Sequence, residues 1–190
     1  MAKYEELASR VAIHVSPCPE PAILDALKHV VRDFCQQTKG WVYDVPEIQG
    51  EVGTLSYEMQ IPEGSVAVHI WGIEGRQGRY ELSTDYYLGF PNLINFNSKA
   101  PSKPIKPLIS LMPSSSTDEY PDYLAEYFSA DLVSGAVAYL QMQPFREWSQ
   151  PNAAGAHQQL YEQGIAQAKR KRDEGLNISQ AKRRVRPQYI

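Results

Sequence analysis

The stretch DYLAEYFSADLVSGAVAYLQMQPFREWSQPNAAGAHQQLYEQGIAQAKRKR, residues 122–172, decides the fold. Leu124, Phe128, Leu132, Ala136 and Leu140 recur at four-residue steps, with Tyr127, Val133, Val137 and Tyr139 widening the stripe. That spacing predicts a helix with one apolar face. Pro121 suits its first turn, and Asp122 and Glu126 sit near the positive end of the helix dipole. Pro144 stops it, because a residue preceding proline is pushed out of helical geometry. A corner follows, Pro144 to Pro151, with Trp148 inside it and Ser149 as candidate N-cap. Ala153, Ala156, Leu160, Ile165 and Ala168, with Tyr161 and Gly164, predict a second helix with a smaller-sided stripe. Lys169 to Arg172 place positive charge at its negative dipole end, and Gly175 is the expected C′ residue. Two helices cannot cover both of their faces alone, so other parts of the chain or other copies of it must pack on them.

Outward toward the N-terminus, Ala22 to Gln37 predicts another helix, with Ile23, Leu27, Val30, Val31 and Phe34 on its apolar side and Gly40 ending it. Tyr4 to Val15 reads as a short helix or a helix running into a strand, and Ser16 to Pro21 is a rigid break. From Trp41 the period changes to two. Leu55, Tyr57, Met59 and Ile61 alternate with polar residues, Val66, Val68 and Ile70 do the same, and Pro62-Glu63-Gly64 reads as the hairpin turn between them. Gly72 to Gly78 reads as a second turn, Tyr86 to Asn97 as aromatic and turn-rich, and Pro107 to Met112 as a last strand. Ser114 to Thr117 reads as a flexible joint. The expected fold class is α+β: a helical bundle of three main helices, an inserted small antiparallel β module, and an extended C-terminal arm. The boundaries are 1–40 for the N-terminal helices, 41–117 for the β module, 118–175 for the helical hairpin and 176–190 for the arm.

The 190-residue chain has an ordinary globular composition and a net charge of −3, unevenly spread. Residues 169–190 hold eight Lys/Arg against Asp173 and Glu174, so that end carries +6 and the remainder −9. An acidic body with a basic end points to a tail for nucleic acid or for an acidic protein surface. No run of about 18 apolar residues occurs, so no membrane span is expected. Cys18 and Cys35 read as reduced thiols of a product made in the cytoplasm. Residues 72–78 contain glycines but lack the Lys-Ser/Thr end of a phosphate loop. His14, His29, His69 and His157 are far apart in the sequence, and the carboxylates show no metal-binding spacing. No enzyme, cofactor or metal is expected.

The order of pieces is more specific than any one of them. Phe34 to Trp41 is followed by Leu55 to Gly64, then Leu108 to Pro113, then Gly135 to Trp148 with Pro151 and Ala153-Ala154. This order resembles the head-to-tail connector, or adaptor, proteins of tailed bacteriophages over roughly residues 20 to 175. The resemblance implies a structural virion protein, made in the host cytoplasm and placed at the neck of the particle. There it would form a homo-oligomeric ring, commonly of twelve copies, below the portal protein. The ring would extend the DNA channel without sequence-specific binding and offer a platform for the tail or nozzle protein. It implies a portal-docking arm in which Lys182, Arg183, Arg184 and Arg186 meet acidic groups while Tyr189 and Ile190 fill an apolar slot. Phe128, Leu132, Leu160 and Ile165 are the expected subunit-interface residues, and Pro144, Trp148 and Pro151 mark the corner. Two other readings stand beside it: a nucleic-acid-binding protein using its basic tail, and a tail-completion or terminator ring protein.

Overall fold

In the computed structural model, residues 1–51, 53–75, 78–97, 101 and 104–174 are described. The helical periodicities become α1 (Glu5–Ala12), α2 (Glu20–Thr38), α3 (Asp122–Gln141) and α4 (Pro151–Glu174). Pro19 and Pro121, both extended, stand immediately before α2 and α3, where a missing N–H costs nothing. Lys39, in the left-handed region at φ 53°, closes α2 by donating its N–H to Cys35 O at 2.8 Å. The stop therefore falls one residue before Gly40. Ser149 does not cap α4; its hydroxyl donates back to Gln141 O at 3.3 Å and ties the corner to the end of α3.

The expected three-helix bundle with one β insertion is not the fold. The chain is mixed α/β, with four helices and three antiparallel sheets among the described residues. α1 is a full member of the helical core, burying Leu7, Ala8 and Val11. That core continues through Leu27, Val31 and Phe34 of α2, Leu124, Leu132 and Leu140 of α3, and Tyr161, Ile165 and Ala168 of α4. Each such Leu contributes about 1.5–3 kcal/mol by leaving water. The first sheet is a two-residue ribbon, β1 (Ala2–Lys3) against β9 (Glu119–Tyr120), too short to show a sequence period.

The other two sheets share a second core. One contains β2 (Val42–Asp44), β4 (Ser65–Gly75), β5 (Gly78–Tyr80) and β8 (Ile105–Pro113) in the order β2-β8-β4-β5. The second orders β3 (Ser56–Glu58), β7 (Leu93–Phe96) and β6 (Tyr86–Gly89) as β3-β7-β6. Ile70, Ile73, Ile109 and Leu111 of the four-stranded sheet share this core with Tyr57, Ile94, Phe96 and Tyr86 of the three-stranded sheet. The expected hairpin over Pro62–Gly64 is corrected here. β3 pairs with β7 and β4 with β8, so that turn carries the chain from one sheet to the other. The expected turn over Gly72–Gly78 is strand as far as Gly75, the end of β4, and Gly75 pairs with Gly78 of β5.

The two cores are joined where α2 and α4 end. Arg172 donates from Nη1 to Thr38 O at 2.6 Å, satisfying a carbonyl that α2 leaves open at its C-terminus, and its guanidinium lies 5.0 Å over the Trp71 ring of β4. Trp71 Nε1 donates to Ser110 Oγ at 2.6 Å, and Ser110 Oγ donates to Lys39 O at 2.8 Å. The β4–β8 ladder shifts register between Ala67 and His69 and again between Ile70 and Gly72, at Trp71 itself. Bulges of this kind re-aim side chains. Burial, then the Lys39 and Arg172 charges, hold the His69 imidazole below its ordinary pKa.

Candidate interaction surface at the helical corner

Leaving α3, the chain turns through Met142 and Gln143, whose N–H groups donate to Ala138 O and Leu140 O. Gln150 N then donates to Gln141 O at 3.0 Å, which closes the corner. Within it Phe145 has φ 59° and a fully exposed ring. A bulky side chain in the left-handed region costs of order 1–3 kcal/mol, and such strain concentrates at sites of function. The strain here does not serve packing, because the ring points into water. Trp148 behaves oppositely. It is half-buried against the helical core, and the Arg146 guanidinium lies 5.7 Å from its ring centre. Met142, Ile13 at the end of α1 and Leu160 on α4 are further exposed apolar side chains of the helical region.

A groove of about 710 Å³ opens at this corner and runs between α2, α3 and α4. His29, Asp33, Tyr139, Met142, Gln158 and Glu162 are among the residues that line it. Asp33 accepts hydrogen bonds from Tyr161 Oη at 2.8 Å and Gln37 Nε2 at 2.7 Å. Burial, and then Asp33, push the Tyr161 phenol well above its ordinary pKa, so it stays a donor. His29 lies over Tyr139, ring centres 4.7 Å apart. The groove thus presents carboxylates and amides above an apolar floor. A second exposed aromatic site lies on the β core, where Phe90, beside the half-exposed Tyr87, projects from the turn between β6 and β7.

Of the four residues expected at a subunit interface, Phe128, Leu132 and Ile165 are buried in the chain's own helical core, and Leu160 alone is exposed. The buried stripe of α4 is Ala154, Tyr161, Gly164, Ile165 and Ala168; Ala156 and Leu160 lie outside it, on the water side. Pro144 is exposed in the corner and Pro151 begins α4. The expected docking arm (Lys182, Arg183, Arg184, Arg186, Tyr189 and Ile190) and the expected cap at Gly175 lie outside the described residues. Lys171 and Arg172 are engaged within the chain, Lys171 at 5.0 Å from the Phe128 ring centre, while Lys169 and Arg170 stay exposed. Sequence reasoning missed Ile13, Met142 and Phe145; the signal available for Phe145 was its place directly after a helix-stopping proline.

Among the described residues no three His, Cys, Asp or Glu side chains gather as a metal site, and no helix is long and apolar enough to cross a membrane. The chain matches no protein-family model and no curated protein.

Proposed function

We propose that the chain is a structural assembly protein that forms a ring of copies at the head-to-tail junction of a tailed phage particle. The ring sits below the portal protein, extends the DNA channel and carries the tail or nozzle protein. The observation that carries this reading is Phe145, fully exposed and held in a left-handed conformation at the helical corner, with Met142 also exposed there. Burying such a ring against a neighbour contributes about 1.5–3 kcal/mol, which free monomers forgo. A ring repeats that contact around a closed circle. In this reading the acidic body lets DNA slide, because a basic lining would hold phosphates. The arm from Lys182 to Ile190 docks on the portal.

Co-sedimentation of the full chain with its portal tests this. The unmodified chain should pellet with the portal in several copies per complex. Removing Gln180–Ile190 should abolish docking while leaving the melting temperature unchanged, and Phe145→Asp should reduce the number of copies retained. Undiminished docking without the arm, or tight and steeply salt-dependent DNA binding by a monomer, would favour the nucleic-acid reading instead.

A further inference from the structure

His14 and His157 are 143 residues apart in the sequence, yet their rings meet. His14 follows α1, His157 lies in the second turn of α4, and the ring centres are 5.3 Å apart with planes at 70°. His157 Nδ1 is buried with no hydrogen-bond partner. The neighbouring Gln141, almost wholly buried, donates from Nε2 to His14 O at 3.1 Å. The other atom of that amide, Oε1, is also buried and unpartnered. Buried polar atoms in native folds nearly always have partners. A ring nitrogen without a partner against a second imidazole, with an unpartnered amide oxygen on the side chain that holds the His14 carbonyl, has the chemistry of a cation site.

We propose that His14 and His157 bind a divalent late first-row metal ion, with Zn²⁺ as its representative, and that Gln141 Oε1 supplies the third protein donor. Two imidazoles sharing one tetrahedral ion through bonds of about 2.1 Å place their ring centres about 5 Å apart, close to the separation here. Two nitrogen donors select zinc, copper or nickel over calcium or magnesium, which take oxygen ligands. The His157 ring is in the right state to bind. Burial, and then His14, lower the pKa of His157, so it is neutral at pH 7. Two imidazoles and one amide oxygen include no anionic donor, so binding is reversible. The ion would staple the turn after α1 to α4 beside the corner. This site does not depend on the ring reading.

Isothermal titration of Zn²⁺ into the chelator-treated full chain is the test, in a Cys18→Ser background that removes the half-exposed thiol. One ion should bind per chain. His14→Ala or His157→Ala should weaken binding at least about tenfold. His29→Ala, on the histidine stacked over Tyr139, should leave it unchanged. In a chain with all four histidines intact, zinc should shift the imidazole NMR signals of His14 and His157 and spare those of His29 and His69, a readout that needs no histidine variant. Equal affinity in the His14→Ala/His157→Ala double variant, or no heat and no imidazole shift at millimolar Zn²⁺, would overturn the proposal; the second result would leave an ordered water as the partner of those buried atoms.

Discussion

Replacing Gly135 by alanine should destabilise the helical core, although the same change in an open helix stabilises it. Gly135 lies inside α3, with Val30 of α2 and Tyr161 of α4 close against it. A Cβ there would stand 2.7 Å from Val30 Cγ1, 2.7 Å from Tyr161 Cδ2 and 3.0 Å from Tyr161 Cε2. Neither neighbour gives way easily. Val30 is β-branched and stiff at χ1. The Tyr161 ring is pinned by bonds from its hydroxyl to Val30 O at 3.2 Å and Asp33 Oδ2 at 2.8 Å. Alanine gains about 1 kcal/mol in helix propensity. Overpacking costs about 1–3 kcal/mol, and a strained bond to a charged acceptor adds part of another 1.5–3 kcal/mol. The net loss is about 2 kcal/mol, a fall of roughly 4–8 °C in melting temperature for a chain of this size. Gly155, in α4, has nothing within 4 Å of its virtual Cβ. Gly155→Ala should therefore raise stability by about 0.5–1 kcal/mol. Urea melts followed by far-UV circular dichroism compare the two with the parent chain. A Gly135→Ala midpoint at or above the parent's would refute the close-approach argument.

Arg172→Ala should cost about 1.5–3 kcal/mol by removing the bond to Thr38 O and the cover over Trp71; Arg172→Lys should recover less than half, since an ammonium lacks the planar fork. Tryptophan fluorescence during denaturation reads this directly. His69 and His157 both titrate below their ordinary pKa of 6.5 in the fold, chiefly from burial. Between those lowered values and 6.5 the unfolded chain binds more protons, so stability measured in chelator should fall as pH drops through that window and stay flat just above it. His69→Gln should flatten the slope. Cys35 is fully buried and its thiol is pushed up to about 12 by burial, so a thiol reagent should titrate Cys18 alone in the folded chain and both cysteines in concentrated guanidinium.

Helix content was legible because α2 and α4 carry an apolar side at helical spacing and prolines bound α3; the single apolar face expected of α3 is corrected, since Leu132 to Ala138 are all buried there. Strand pairing was not legible, because alternation fixes which face is buried and says nothing about the neighbour. The Pro62–Gly64 turn looked like a hairpin for that reason, while β3 and β4 found distant partners in β7 and β8. Nor does an apolar stripe declare what it will face. Phe128, Leu132 and Ile165 were consistent with a neighbouring subunit, and the chain's own helical core took them up. Phe145 could be read as part of a corner, but its outward direction follows from a backbone angle that no spacing encodes. The His14–His157 contact depends on how α1 docks near α4, which only the assembled core determines.

In the proposed ring, the exposed apolar side chains at the helical corner face copies of the same chain. Cryo-electron microscopy of the full chain bound to its portal tests it most directly. A closed ring coaxial with the portal, with Phe145 and Met142 seated against the adjacent copy, is the expected result. A portal bare of the chain, or a bound chain whose Phe145 still faces solvent, would contradict it.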